Sequence, residues 1–226
     1  MNREKSDKRK EQGAETKKRL YEISERLFSG RDYIDVSVED ITSEAGITKG
    51  AFYVHFESKD ALIALLIADY AARADSDYQD FVENMPAELP APAVLLALTE
   101  KIADVLVGTI GKKNMKTVYQ MLLAGNAGAE AVKDYDRELY ALFQGVLHRG
   151  ILRGEIKSAL PIDILARHFI MAIRGITYEW CIRDSDFDLK EKAREYVCLL
   201  MGGLGVTTQV KEDSPQDEMN TIDISI

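Results

Sequence analysis

The stretch from Ser37 to Lys59, SVEDITSEAGITKGAFYVHFESK, decides how the rest of the chain is interpreted. Ser37 is a favoured N-cap residue, and the two acids that follow suit the first turn of a helix, where the helix dipole favours negative charge. Gly46 tolerates positive φ and can end that helix, and Thr48 can cap a second helix directly afterwards. Two short helices joined by so tight a turn match the helix-turn-helix motif, whose second helix enters a DNA major groove.

The second helix, TKGAFYVHF, has a polar side suited to DNA. Lys49 can reach a phosphate or a guanine edge, the hydroxyls of Thr48 and Tyr53 can bond phosphates, and Gly50 lets the backbone come close. A solvated surface helix in another small helical domain would share part of this composition. The predicted DNA contacts are Thr16, Lys17, Ser37, Thr48, Lys49, Gly50, Tyr53, His55 and Lys59.

The run V-x-x-I-x-x-x-A-G-I-T-K-G-A-F-Y-x-H-F-x-S-K-D-x-L, from Val38 to Leu62, resembles the DNA-binding signature of the TetR (tetracycline-repressor) family. The match is dense and gapless, and it extends back through an amphipathic helix from Thr16 to Ser29. The remainder of the chain is similar only in length and helical pattern. The resemblance implies an all-α fold of about nine helices, with an N-terminal three-helix helix-turn-helix DNA-binding domain and a C-terminal helical domain for ligand binding and dimerisation.

The charge distribution fits DNA binding although the total is acidic. The 226 residues carry a formal net charge of −9. Residues 1–20 nevertheless hold eight Lys or Arg against four acids, directly before the helix-turn-helix motif. Sequence-specific binding needs local positive charge rather than a positive total, so the acidic sum is no objection.

Composition and periodicity divide the chain into four predicted segments. The first is polar and without a period, and the last holds one lysine against five acids from Lys211 onward. No stretch alternates as a strand would, which supports the all-α prediction. The segments are a flexible basic arm (1–13), the helix-turn-helix DNA-binding domain (14–60), the helical ligand-binding and dimerisation domain (61–207) and a disordered acidic tail (208–226).

The last two predicted helices indicate a dimer. Residues from Ile162 to Ile182 are apolar on nearly every side, which a helix exposed on one face could not tolerate. With the apolar stripe from Leu189 to Leu204, they could form a four-helix bundle with a second copy, or lie deep in the core of one chain. Two-fold symmetry also suits a palindromic pair of half-sites. The predicted interface residues are Ala172, Gly175, Tyr196, Leu200 and Leu204.

The resemblance further implies that the C-terminal domain encloses a pocket for a small molecule. Bulky residues on the middle helices are candidates for its lining, although aromatics at helical spacing are also typical of an ordinary core. Acids in this domain would suit a cationic or polar ligand, and Arg167 and Arg174 an anionic one. The candidate lining residues are Tyr119, Leu122, Phe143, Phe169 and Tyr178.

The sequence offers little for catalysis. It has no Gly-rich phosphate loop, no G-x-S-x-G elbow and no H-E-x-x-H, so we predict no catalytic or metal-binding residue and no cofactor. His148 and His168 stand on different predicted helices. Cys181 and Cys198 could form a redox switch, although such cysteines are more often small buried apolar residues. The charged N-terminus and the lack of a membrane-length apolar stretch indicate a cytoplasmic protein.

These features together predict a ligand-responsive transcriptional regulator. Its expected partners are a double-stranded DNA operator, a second copy of the chain and a small-molecule effector, with no membrane. The family tendency favours a homodimeric repressor released from a palindromic operator when the effector binds. Two alternatives stay open: an activator with the same fold, and a helical small-molecule-binding protein or enzyme with a fortuitous helix-turn-helix pattern.

Overall fold

A computed structural model describes residues 2–125, 134, 137–183 and 186–204, with the backbone alone for residues 2–9. Over these residues the chain contains no strand, and none of its helices is long and apolar enough to cross a membrane. This confirms the all-α prediction. The described residues form nine α-helices: α1 (Asn2–Gly30), α2 (Val38–Ala45), α3 (Lys49–His55), α4 (Lys59–Glu83), α5 (Ala91–Asp104), α6 (Gly111–Leu123), α7 (Glu138–Leu152), α8 (Ile162–Ile182) and α9 (Leu189–Gly203).

The first helix begins earlier than the sequence pattern indicated. We expected it near Ala14, but α1 begins at Asn2, so residues 2–13 are helical. Lys, Arg, Glu and Gln dominate this segment and have high helix propensity, which allows a helix to continue without an apolar stripe. That the segment acts as a flexible basic arm stays a prediction. The predicted acidic tail, residues 208–226, lies outside the described residues.

A small hydrophobic core holds the N-terminal helices together. We call α1, α2, α3 and residues 59–67 of α4 the head. Its centre consists of fully buried side chains from all four helices, Leu20, Ile41, Phe52 and Leu62. Burial of each such side chain stabilises the fold by roughly 1.5–3 kcal/mol. The packing of these side chains sets the angle between the two short helices, α2 and α3.

A larger core organises the rest of the described chain, which we call the body (residues 68–83 of α4, and α5–α9). Leu98, Phe143 and Phe169 are fully buried where α5, α7 and α8 meet, and α9 packs along α5 and α8. Gly150 lies where α7 meets the start of α5. A Cβ added there would lie 2.6 Å from the Cβ of Ala91, so only glycine permits this approach.

Two helices connect the head to the body. α4 has its N-terminal part in the head core and its C-terminal part against the body core. The boundary predicted at residue 60 lies in its first turn, so α4 belongs to both parts. A π-helical turn (Val105–Ile110) and Gly111, with φ of 79°, separate α5 from α6. α6 then returns to the head, where Lys113 Nζ donates to the carbonyl oxygen of Gly30 at 3.2 Å.

Candidate DNA-binding surface and ligand cavity

The helix-turn-helix geometry is set by short-range caps. Ser37 Oγ accepts a hydrogen bond from the Asp40 amide at 3.1 Å, and Asp40 Oδ2 accepts one from the Ser37 amide at 2.8 Å. Hydrogen bonds that the Ser37 amide and the Ser37 hydroxyl donate to Asp40 Oδ2 lower the pKa of this carboxyl. Gly46 ends α2 with φ of 64°. Thr48 Oγ1 then accepts from the Ala51 amide at 3.2 Å and starts α3.

One side of α3 is buried and the other is free to contact DNA. Phe52 and Phe56 face the head core, with ring centroids 5.7 Å apart. The opposite side exposes Thr48, Lys49 and Gly50, together with 49% of Tyr53. Val54 is 80% exposed and extends this side, although we had not predicted it as a contact. An apolar side chain on a recognition helix suits a thymine methyl group.

Lys49 has a weak protein partner. Its ammonium forms an ion pair with the Glu39 carboxylate, and this hydrogen bond raises the pKa of Lys49. Both side chains are more than half exposed, and such surface pairs contribute little free energy. Lys49 can therefore exchange Glu39 for a phosphate or a guanine edge at small cost.

Lys59 has a different environment from the one its sequence position suggested. Its ammonium donates to the carbonyl oxygens of Tyr33 and Val36 at 2.8 and 2.9 Å, and it lies 3.9 Å from the centroid of the Tyr33 ring. Burial lowers its pKa. These contacts hold the α1–α2 connection against α4. That Lys59 also binds a phosphate stays a prediction.

The other predicted contacts flank α3 on α1 and α2. Lys17 is exposed, with its ammonium 5.7 Å from the centroid of the Phe56 ring. The Thr16 hydroxyl donates to the Gln12 carbonyl oxygen at 2.8 Å. His55 is half-buried beside α1. The structure thus places Lys17 beside Phe56 at the C-terminal end of α3, whereas Ser37 and Thr48 use their hydroxyls as caps.

An apolar cavity lies where the head meets the body. It has a volume of about 180 Å³. Its wall includes parts of α1, α4, α5, α6, α7 and α8, as well as the π-helical turn. Most of the lining side chains are aliphatic, such as Ile67, Leu106, Met115, Val118 and Ile173. The cavity therefore contacts both the helices that carry α3 and those of the body core.

The predicted pocket residues are divided between three places. Tyr119 and Leu122 line the cavity. Phe143 and Phe169 lie instead in the body core, where both are fully buried with ring centroids 6.0 Å apart. Tyr178 lies on a surface groove and contacts Tyr119 edge-on at 5.4 Å. Helical spacing of aromatics does not distinguish a core position from a cavity position, because both lie on the buried side of a helix.

One arginine of the cavity wall belongs to a buried ion pair. Arg137 donates from Nε to Asp75 Oδ2 at 2.6 Å and from Nη2 to Asp75 Oδ1 at 2.5 Å. The two side chains are 14% and 4% exposed, respectively. Tyr78, one turn after Asp75, lines the cavity and is 2% exposed. Burial raises the pKa of its hydroxyl. We had predicted none of these three residues.

The other polar groups of the wall are held by neighbours. Glu25 accepts from the Tyr70 hydroxyl at 2.8 Å and from Arg73 Nη2 at 3.2 Å. Burial and this bond to Glu25 raise the pKa of Tyr70 to about 12. The Tyr119 hydroxyl donates to the Arg174 carbonyl oxygen at 2.9 Å. The wall is thus apolar, with polar groups that mostly satisfy one another.

The predicted dimer residues divide between a surface and the body core. Ala172, Gly175 and Tyr196 line the groove between α8 and α9. Leu200 and Leu204 are partly buried against the body core instead, because that side of α9 packs on α5. The groove is lined by apolar side chains that are 40% exposed or more, namely Met171, Tyr178, Tyr196 and Leu199.

Neither cysteine lies at a reactive site. Cys181 is buried beside Trp180, and burial raises the pKa of its thiol to about 11. Cys198 is partly buried against the body core, and burial raises the pKa of its thiol also. Both fit the role of small apolar residues. His148 and His168 are exposed, and no three metal-binding side chains come together in the described ranges.

Comparison with known proteins agrees with this architecture. Residues 20–66 match the model of the bacterial regulatory proteins of the tetR family. The chain is 26% identical over 205 residues to the HTH-type transcriptional regulator AcrR of Shigella flexneri, covering 86% of this chain and 91% of AcrR. It is 21% identical over 198 residues to the HTH-type transcriptional repressor KstR2 of Mycolicibacterium smegmatis, covering 85% and 92%.

Solved structures share the fold over most of the chain. The transcriptional regulator FadR from Bacillus subtilis, in complex with stearoyl-CoA, superposes with a TM-score of 0.64 at 20% identity. The superposition covers 82% of this chain and 97% of FadR. The likeness therefore includes the body as well as the helix-turn-helix.

Proposed function

The chain belongs to the TetR family of transcriptional regulators, and from this premise we propose that it is a homodimeric repressor that a small organic molecule releases from a palindromic operator. The position of the cavity carries the proposal. Its wall includes parts of α1, which packs directly on α3, and of α4, which shares the head core with α3. A molecule bound there would contact the supports of the DNA-binding helix.

On DNA, α3 would lie in the major groove. Lys49 would leave Glu39 for a phosphate or guanine, and the Tyr53 hydroxyl would bond a phosphate. Lys17 on α1 would add a phosphate contact beside the groove. Phe52 stays buried in the head core when DNA binds, so the exposed side of α3 is held in a fixed position by that core.

Release would follow from a shift between two positions of the head. Tyr70 and Ile67 of α4 and Phe28 of α1 contact the cavity from one side, and Met115 of α6 from another. In one arrangement of the dimer the two heads fit the operator, and in the other they are too far apart or too close for it. A ligand that binds the second arrangement more tightly lowers operator affinity by the difference between its binding free energies for the two arrangements.

The α8–α9 surface is the proposed contact with the second copy. It exposes Met171 and Leu199 on adjacent helices, which a single chain leaves in water. Contiguous apolar surface of this kind is typical of an interface. A two-fold contact here would place two heads to read symmetric half-sites, one helical turn of DNA apart or a multiple of it.

The test is a selection of binding sites from random duplexes, followed by fluorescence anisotropy on the selected DNA. We expect a two-fold symmetric sequence. The double variant Lys49→Ala, Tyr53→Phe should bind it roughly 10–100-fold more weakly, given about 1–3 kcal/mol for a good contact. The control Lys157→Ala removes the same charge from an exposed position of the body and should bind normally.

Two outcomes would contradict the proposal. The first is a folded dimer that selects no sequence. The second is DNA affinity that does not fall with added salt, because phosphate contacts require such a fall. Transcription in vitro from a template that carries the selected site would separate a repressor from an activator.

A further inference from the structure

We infer that the cavity binds an uncharged, mainly apolar organic molecule with a single hydrogen-bond acceptor, and that the Tyr78 hydroxyl recognises this acceptor. The inference rests on the proposed function, because it specifies the chemical class of the effector. Three features of the wall support it: the aliphatic lining, the position of Tyr78, and the pairing of its charged groups.

The lining defines the body of the ligand. Aliphatic side chains from five or more elements contact the cavity, among them Ile67, Leu106, Val118 and Ile173. Apolar pockets of this kind gain most of their affinity by removing apolar ligand surface from water. The volume of about 180 Å³ is slightly larger than the roughly 150 Å³ of an engineered cavity that accepts benzene. A compact molecule of one or two rings therefore fits.

Tyr78 defines the polar end. Its side chain is 2% exposed and lines the cavity, yet its hydroxyl donates no hydrogen bond to any described residue. The neighbouring wall hydroxyls differ in this respect, since Tyr70 donates to Glu25 and Tyr119 donates to the Arg174 carbonyl. A hydroxyl that lines a cavity without a protein acceptor can donate to a ligand, and a carbonyl or ether oxygen would accept that hydrogen bond.

The charged side chains of the wall have partners within the protein. The Arg137 guanidinium, on the wall beside Tyr78, is held by both oxygens of Asp75. Glu25 is bonded to Arg73, and the Arg174 guanidinium lies over the Tyr140 ring at 5.7 Å. Both acids, Glu25 and Asp75, are thus paired with an arginine. An anionic ligand group that took Arg137 would leave the Asp75 carboxylate buried without its partner, which is costly.

Three molecules with the same ten-carbon ring skeleton test this inference by isothermal titration calorimetry. The first is 1-tetralone, which has a ketone oxygen, and the second is tetralin, which lacks it. The third is 1,2,3,4-tetrahydro-1-naphthoate, which carries an anionic carboxylate. We expect the wild-type protein to bind 1-tetralone about tenfold more tightly than tetralin, as one net hydrogen bond would give. The acid should bind more weakly than the ketone.

Two matched variants assign the preference to one hydroxyl. Tyr78→Phe should bind 1-tetralone and tetralin equally. Tyr70→Phe, on the same helix and the same wall, removes a hydroxyl that already has Glu25 as its acceptor and should keep the preference for the ketone. The carbonyl stretching frequency of bound 1-tetralone offers a second measurement on the wild-type protein, and it should shift down as expected for a hydrogen-bonded ketone.

Several results would overturn the inference. They are equal binding of ketone and tetralin by the wild-type protein, tightest binding of the acid, a preference that survives Tyr78→Phe, an unshifted carbonyl frequency, and a folded protein that binds none of the three. The proposed function fails separately. If 1-tetralone binds with the expected preference but leaves DNA affinity unchanged at saturation, the ligand class stands while the release mechanism does not.

Discussion

The N-caps that begin α2, α3 and α4 and the polar contacts that join the helices of the body differ in how far along the chain they extend. In the head, each helix cap joins residues three positions apart: Ser37 with Asp40, Thr48 with Ala51, and Ser58 with Ala61. In the body, contacts join residues 55 to 64 positions apart: Tyr119 with Arg174, Asp75 with Arg137, and Ala91 with Glu155. Local structure that residues close together in the sequence determine can be predicted from the sequence. Contacts between residues far apart in the sequence cannot be predicted in this way.

The same difference separates the two tasks of the molecule. A surface that contacts DNA must keep one shape, and short-range caps contribute to this. In the proposed mechanism the cavity responds to a ligand, and its wall is assembled from helices far apart in sequence. Substitutions in the two regions should therefore have different consequences.

The largest expected effect is in the body. Asp75→Ala leaves the buried Arg137 guanidinium without its carboxylate and should lower the free energy of unfolding by about 3–5 kcal/mol. Urea unfolding measures this. Asp77→Ala is the control, since Asp77 pairs with Lys101 at an exposed position and should cost about 1 kcal/mol or less. Equal losses for the two variants would show that the Asp75 pair is not buried as described.

A smaller effect is expected from Lys59→Met in the head. The variant loses two hydrogen bonds from a charged donor to the carbonyls of Tyr33 and Val36, and its free energy of unfolding should fall by about 1.5–3 kcal/mol. Lys49→Met should be nearly neutral for stability but should reduce the salt dependence of DNA binding. If Lys59→Met reduces that dependence as well, Lys59 contacts a phosphate as the sequence suggested.

Removal of a single cap should have a modest effect. Ser37→Ala abolishes the bond to the Asp40 amide at the start of α2 and should lower the free energy of unfolding by about 1 kcal/mol. Ser43→Ala makes the same chemical change at an exposed interior position of α2 and should stay within about 0.5 kcal/mol of wild type. A loss at position 43 equal to that at position 37 would argue against the cap.

The smallest expected effect is a pH dependence of this cap. The pKa of Asp40 is lowered from its ordinary value of 3.8, so folding favours the ionised carboxyl. The stability that the ionised Asp40 carboxyl contributes is therefore complete above pH 3.8 and is lost as the pH falls through the lowered pKa. Ser37→Ala removes the bonds from Ser37 Oγ, so the difference between wild type and variant should narrow below pH 3.8. Urea unfolding at a series of pH values would detect this, and a gap that widens on acidification would contradict it.

The sequence predicted the head well because its signals are local. Ser37 and Gly46 marked the start and the end of α2, and Thr48 marked the start of α3, since each cap residue type has its own backbone preference. The start of α1 was wrong because helix propensity alone, without an apolar stripe, carried the helix back to Asn2.

The cavity wall could be predicted only in part. Tyr119 and Leu122 were found because they are bulky residues on a middle helix, and the same reasoning selected Phe143 and Phe169, which lie in the body core. Tyr78 was missed because α4 becomes rich in acids near it. Its spacing from Ala71 and Ala74 places it on the buried side of α4 and was the available signal.

Because α4 is one continuous helix, a tilt at its body end displaces its head end. Its 25 residues span about 37 Å, with the head at one end and Asp75 and Tyr78 toward the other. If the far end stays fixed, a tilt of about 5° moves the head end by about 3 Å, and two symmetric copies would change their separation by up to twice that. A small molecule that shifts side chains by less than the diameter of an atom can thus produce a displacement comparable to the rise of one DNA base pair.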